Sequence, residues 1–97
     1  MQNRNMQAML AEAQKRQRAF DRAVKEIEET EYEMEKNGIV KVVLLGNKQI
    51  VSISIDKDAF DPEDREMIED TIKKAINTVV TQIDEDIEEA KETHLGQ

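Results

Sequence analysis

Cysteine is absent from the 97-residue chain, which removes disulfides, zinc–thiolate and iron–sulfur sites and thiol catalysis and favours a reducing compartment. Breakers are scarce: Pro62 is the single proline, and the glycines are Gly38, Gly46 and Gly96. Aromatic residues are 3% of the chain, namely Phe20, Tyr32 and Phe60. Apolar residues are 38%, against roughly 45–50% in an average soluble protein, so a monomer has material for only a thin core. No apolar run exceeds four residues, as in Val42–Leu45, and nothing is expected to span a bilayer. The first residues lack the apolar stretch of a signal peptide, so a cytoplasmic location is expected. His94 is the one histidine, Ser52 and Ser54 have no histidine nearby, and neither a G-x-G-x-x-G loop nor a P-loop is present. No catalytic residue, cofactor or small-molecule substrate is expected.

Charge is plentiful. Charged residues reach 37%, with 22 acidic and 14 basic side chains and a net charge of −8. The total argues against a generally basic nucleic-acid binder, but it is unevenly spread. Residues 1–25 carry six basic and two acidic side chains, residues 26–37 six glutamates and one lysine, and residues 58–97 are net −9.

With no linker or low-complexity stretch, residues 1–97 form one domain. From Asn3 to Glu29 the positions Met6, Leu10, Ala13, Gln17, Phe20, Val24 and Ile27 alternate spacings of four and three. This heptad seam predicts a helix that packs along a partner helix, with Gln17 as a polar interruption that sets register. Thr30–Glu35 alternates with period two and predicts a strand. Asn37-Gly38 predicts a type I′ hairpin turn; Ile39–Leu45 and Gln49–Asp56 predict two more strands joined at Gly46-Asn47-Lys48. In the last strand, Ile50, Ser52 and Ser54 are expected on one face and Val51, Ile53 and Ile55 on the other. Asp61 as cap and Pro62 as first helical residue predict a helix to about Thr93. Its apolar face is Ile68, Ile72, Ile76, Val79, Ile83, Ile87 and Ala90. The expected fold is α+β, in the order α-β-β-β-α. Three strands cannot cover a helix of roughly 45–50 Å, so either the first helix or a second chain must, and a homodimer is expected. Its interface is assigned to the sheet and to the seams Met6, Leu10, Ala13, Gln17, Phe20, Val24 and Ile72, Ile76, Val79, Ile83.

No metal site is expected. The run Asp56-Lys57-Asp58-Ala59-Phe60-Asp61 opens like a calcium loop but has Phe60 at its fifth position and Asp61 where glycine is required. The carboxylates Asp84, Glu85, Asp86, Glu88 and Glu89 spread around their helix and read as a solvated face. The basic residues of the first helix are more informative. At 100° per residue, Arg4, Lys15, Arg18, Arg22 and Lys25 fall within an arc of about 80°, roughly opposite the seam. They make a cationic ridge about 30 Å long that suits phosphates. No aromatic residue is interleaved for stacking on single strands, and apart from Gln7 and Gln14 nothing is placed to read bases.

The order of these segments resembles one family along almost the whole chain. Asn5-Met6-Gln7-x-Met9 and Ala13-Gln14-Lys15-x-Gln17 are similar to the Met- and Gln-rich first helix of the YbaB/EbfC family of bacterial nucleoid-associated proteins. Gly38-Ile39-Val40-Lys41-Val42, Gly46 and Val51–Asp56 resemble its glycine-bounded strand pair. Asp61-Pro62-Glu63-Asp64-x-x-Met67-Ile68-x-Asp70 and Ala75-Ile76-Asn77 resemble the opening of its last helix. The resemblance implies a tight homodimer with helices projecting like the prongs of tweezers. It implies binding to double-stranded DNA with little sequence preference, effects on nucleoid organisation or gene expression, and no enzymatic activity. The DNA contacts it implies fall on the helical prongs, hence on Arg4, Lys15, Arg18, Arg22 and Lys25. Lys73, Lys74 and Lys91 are weaker candidates because acidic residues surround them. The alternative is an acidic dimeric protein-interaction module, in which Arg18 and Arg22 would be buried in ion pairs rather than exposed.

Overall fold

The computed structural model describes residues 2–96. Helix α1 spans Gln2–Glu29. Strands β1, β2 and β3 span Glu31–Lys36, Val40–Leu45 and Ile50–Ile55, and helix α2 spans Arg65–Leu95. The strands form one antiparallel sheet in the order β1-β2-β3. This is the expected α-β-β-β-α architecture, with element ends shifted by a residue or so. The start of α2 differs more. Asp61 does act as a cap, its carboxylate accepting the Glu63 N–H at 3.0 Å. That bond opens a short 3-10 turn over Pro62–Asp64, and the α-helix begins at Arg65. A tighter first turn is a common way into a helix.

Turn chemistry sets the meander. Asn37 and Gly38 both have positive φ, 57° and 67°, as a type I′ turn requires, and the Ile39 N–H closes it on the Lys36 carbonyl at 3.0 Å. The second hairpin is a three-residue loop ending in Lys48 at φ 73°, and the Lys48 N–H bonds the Leu45 carbonyl at 2.8 Å. The β2–β3 register then slips between Val43 and Leu44: Val42 faces Ile53 and Val43 faces Ser52, yet Leu44 faces Ile50. A bulge places two residues against one. It returns Ile50 to the side of Leu44, Ile53 and Ile55, not to the side of Ser52 and Ser54 as strict alternation predicts.

The core lies between this side of the sheet and α2. Val40, Val42 and Leu44 of β2 pack against Ala75, Val79 and Ile83 of α2, with Ile27, Tyr32, Met34, Ile72, Ile76 and Ile87 around them. The deepest line on α2 runs Ile68, Thr71, Ala75, Val79, Ile83, Ala90. Ile72 and Ile76, expected in the seam, sit half-buried on its flank, because small Ala75 is what lets the helix approach the strands. Thr71 tolerates burial by donating its hydroxyl to the Met67 carbonyl at 2.7 Å. Nine apolar side chains are buried among the described residues. That is a thin core: its valine, leucine and isoleucine side chains contribute roughly 1.5–3 kcal/mol each, and Ala75 and Ala90 contribute less.

Two contacts fix how α1 leaves the sheet. Gly46 donates its N–H to the Thr30 carbonyl at 2.9 Å, and Asn47 donates to the Glu28 carbonyl at 3.3 Å. A Cβ on Gly46 would collide with the backbone of Ile27, so only glycine permits this approach. Beside it, the Tyr32 hydroxyl donates to Asp86 Oδ2 at 2.7 Å, and Gln82 donates to Asp86 Oδ1 at 3.1 Å. Asp86 is therefore half-buried and engaged, unlike the solvated carboxylate expected. Helix α1 also packs against α2. The molecule is 75 Å long and only 19 × 15 Å across. Since α2 accounts for about 46 Å at 1.5 Å per residue, α1 must project well past its end.

Gly46→Ala is expected to destabilise the fold by about 3 kcal/mol, an overpacking effect with no flexible side chain to yield. Urea unfolding followed by circular dichroism measures it, and an unchanged midpoint would refute the close approach. Burial, followed by the hydrogen bond and the charge of Asp86, pushes the Tyr32 phenol up to about 12. The fold thus favours the neutral phenol: its contribution is complete below the ordinary value near 10.0 and is lost as pH rises through the folded value. Because Tyr32 is the one tyrosine, absorbance at alkaline pH titrates it alone. Tyr32→Phe should cost about 1 kcal/mol at neutral pH and flatten the loss of stability that the parent chain shows above pH 10.

Candidate nucleic-acid interface

The distal part of α1 consists of good helix formers, with Ala, Gln, Met, Leu, Arg and Lys dominating residues 6–19. It needs them, because residues 3–18 are all exposed and burial on α1 begins only at Ala19 and Phe20. Of the expected seam, Phe20, Val24 and Ile27 are half-buried, whereas Met6, Leu10, Ala13 and Gln17 are exposed. Gln17 donates to Asp21 at 3.0 Å on the helix surface. On α2, Val79 and Ile83 are buried and Ile72 and Ile76 half-buried.

Arg4, Lys15, Arg18, Arg22 and Lys25 are all exposed along α1, and none forms an ion pair among the described residues. Elsewhere the cations are mostly engaged. Lys41 pairs with Glu33 at 3.6 Å, Lys48 with Asp84 at 2.7 Å, Arg65 with Glu69 at 3.2 Å, Lys74 with Asp70 at 3.0 Å and Lys91 with Glu88 at 3.2 Å. The Lys74 ammonium holds the Asp70 carboxyl below its usual range. Lys74 and Lys91 are thus already committed to carboxylates; Lys73 is exposed and has no such partner among the described residues. Spacing alone does not set this contrast: Asp21 lies three residues from Arg18 and four from Lys25, a spacing at which charges can meet, but its carboxylate accepts the Gln17 amide at 3.0 Å.

Arg16 was not legible as part of the ridge, since it projects about 100° or more from most of it. It is nevertheless exposed on the half of α1 that no other element covers, where a phosphate can approach from several sides. The usable cationic surface is therefore wider at the tip than an arc of five residues. On α2, Asp84, Glu85, Glu88, Glu89 and Glu92 flank a shallow acidic groove. The carboxylates of the former calcium-loop candidate serve the backbone: Asp56 accepts the Asp58 N–H at 3.4 Å and Asp61 caps its turn. Among the described residues no helix is long and apolar enough to cross a membrane.

The sequence profile of the YbaB/EbfC DNA-binding family matches residues 1–97. The chain is 36% identical over 84 residues to a nucleoid-associated protein of Malacoplasma penetrans, covering 87% of this chain and 89% of that one. It is 39% identical over 85 residues to one of Metamycoplasma arthritidis, covering 88% of each. It is 35% identical over 82 residues to one of Streptococcus pneumoniae, covering 84% of this chain and 83% of the other. A prong of unpaired cations on an α-β-β-β-α frame, matched end to end by that profile, places the chain in the YbaB/EbfC DNA-binding family.

Proposed function

We propose that this protein is a non-enzymatic, nucleoid-associated protein of the bacterial cytoplasm that binds double-stranded DNA as a homodimer with little sequence preference. The observation that carries the reading is the α1 ridge, whose cations are exposed and, among the described residues, free of ion pairs on an otherwise acidic chain. Phosphate contacts position a protein on DNA without reading sequence. Guanidinium and ammonium groups on a thin helical rod supply them without wedges or stacking rings. The acidic remainder keeps DNA off the rest of the surface, which confines binding to the prong and makes it sensitive to salt.

Affinity for a duplex is expected to fall with a log–log salt slope of about −4 to −5 per engaged ridge, by counterion release from five phosphates. An Arg18→Glu/Arg22→Glu double variant should lose about a hundred-fold or more at low salt while keeping its oligomeric state. Fluorescence anisotropy on duplexes of unrelated sequence measures both effects. Binding that survives in the double variant would move the site off α1. No binding at low salt would favour the protein-interaction reading, for which the acidic α2 face is the available surface.

The homodimer is assigned to β3. Helix α2 lies across β1 and β2 and leaves Ile50, Val51 and Ile53 of β3 exposed at 46%, 49% and 44%. The same apolar surface continues into a groove formed by Ile55, Phe60, Pro62, Ile68 and Ile72. Of the two open sheet edges, β1 carries Glu31, Glu33 and Glu35 on its outward positions, charges that discourage strand pairing. Strand β3 presents Ser52 and Ser54 there and has no such protection. If burial of this surface completes the thin core, the unfolding midpoint should rise with protein concentration, and Ile53→Glu should give monomers or unfolded chains by light scattering. A concentration-independent midpoint with an unchanged mass for Ile53→Glu would refute the assignment.

A further inference from the structure

Among the described residues, Lys48 and Asn37 are the residues other than glycine with positive φ, at 73° and 57°. Asparagine tolerates this region, and the Asn37-Gly38 turn requires it. A lysine gains nothing there from its backbone, since a three-residue hairpin loop takes glycine at this place without strain. Its side chain supplies the reason. Lys48 Nζ lies 2.7 Å from Asp84 Oδ1 of α2, the shortest ion pair among the described residues. It is also the one that joins a loop of the sheet to a helix: Arg65–Glu69, Lys74–Asp70 and Lys91–Glu88 lie within α2, and Lys41–Glu33 lies within the sheet. Each residue of this loop holds a different part of the molecule. Gly46 donates to the Thr30 carbonyl just past α1, Asn47 donates to the Glu28 carbonyl in the last turn of α1, and Lys48 reaches α2. The Asn47 side chain steadies the loop by accepting the Gln49 N–H at 2.9 Å. The loop is thus a short bridge from α1 to α2, anchored on the α2 side by one side chain.

We propose that Lys48 is a positioning residue: its ion pair with Asp84 sets the angle at which α1 leaves the body, and with it where the cationic ridge meets a duplex. Phe20, Val24 and Ile27 hold α1 to the body along one face. Contact along one face resists separation and leaves sideways tilt to whatever ties the end of the helix. Leverage makes a weak tie sufficient. Arg4 lies about 36 Å from Glu28 by helical rise, so a tilt of about 10° at the last turn displaces it by about 6 Å. Successive phosphates of one strand are about 3.4 Å apart along the duplex axis, so such a tilt carries the end of the ridge past nearly two of them. An exposed ion pair shifts a two-state balance by at most about five-fold. That contributes little to folding, but it favours one angle over its neighbours. Glycine at position 48 would relax the loop and release α2, and the strained lysine keeps the tie. The effect on duplex binding rests on the DNA reading above; the effect on the angle does not.

The cysteine-free chain permits a direct test. Spin labels are placed at Ala8→Cys on the prong and Asn77→Cys on α2, both exposed positions. Labelled chains are refolded with an excess of unlabelled ones, so that distances within one chain are read by pulsed electron–electron double resonance. The parent is compared with Lys48→Gly and with the charge swap Lys48→Glu/Asp84→Lys. In Lys48→Gly the distance distribution should broaden by about 5 Å or more, while the thermal unfolding midpoint stays or rises because the backbone strain is gone. The swap should restore the parent's distribution. An unchanged distribution in Lys48→Gly overturns the proposal. So does a broadening that comes with a lower midpoint and is not reversed by the swap, which would make the pair a stabilising contact only. Anisotropy on a duplex at low salt is read on the same proteins: affinity should fall at least about three-fold in Lys48→Gly and recover in the swap. A loss of affinity without broadening would put Lys48 among the phosphate contacts and overturn the positioning role. If the parent binds no duplex, the DNA reading fails, and the distance distributions alone decide whether Lys48 sets the angle.

Discussion

The direction of the prong depends on one close approach, that of Gly46 to the end of α1. Helix α1 is held to the body through Phe20, Val24 and Ile27 on one face, and a shift at its last turn would sweep its cations through a wide volume. Backbone bonds from Gly46 and Asn47 to Thr30 and Glu28 remove that freedom by tying the β2–β3 hairpin to the α1–β1 junction. The contact needs a residue without a side chain. The Tyr32–Asp86 bond then locks the first strand to the C-terminal half of α2, so the junction is held from two sides. Everything farther out, ridge and apolar tip alike, inherits its orientation from this corner.

Charge is partitioned along the same axis. Outside α1, five of the eight cations meet a carboxylate, and exposed pairs of this kind add little stability, about 0–1 kcal/mol each. Their larger effect is to cancel positive charge where the chain is acidic, so that the electrostatic field of the molecule has one positive end. On α1 the Asp21 carboxylate is taken by the Gln17 amide, and among the described residues the cations form no ion pair. A net charge of −8 and a DNA-binding family are compatible for this reason: binding depends on the local field, and the excess of acid lies away from the tip.

Element order was readable because the hydrophobic period changes from 3.5 to 2 and back, with Asn37-Gly38, Gly46 and Asp61-Pro62 marking the joints. Ridge exposure was also readable, since Arg4, Lys15, Arg18, Arg22 and Lys25 share an arc. Three features were not. The bulge that turns Ile50 toward Leu44 arises from pairing across strands, which a single strand's alternation does not encode. Asp86 was lost in a run of acids because its partner Tyr32 is 54 residues away. The heptad seam of α1 was continuous in sequence but is used within the chain only from Ala19 onward. A periodic stripe states that a helix needs a neighbour, not whether that neighbour belongs to the same molecule.

That α1 can stay helical without a neighbour over residues 3–18 has a physical basis. An isolated helix of about 12–15 residues is marginal in water because the first turn is costly to form. Here the first turn to form need not be at the tip: Phe20, Val24 and Ile27 pack against the body, so the helix is nucleated there and propagates outward through residues of high intrinsic propensity. Propagation adds one hydrogen bond per residue ordered, and no glycine or proline interrupts it before Gly38. The prong can therefore be both thin and ordered. A ridge on a thin rod stands apart from the acidic body of the protein, exposed on every side over residues 3–18.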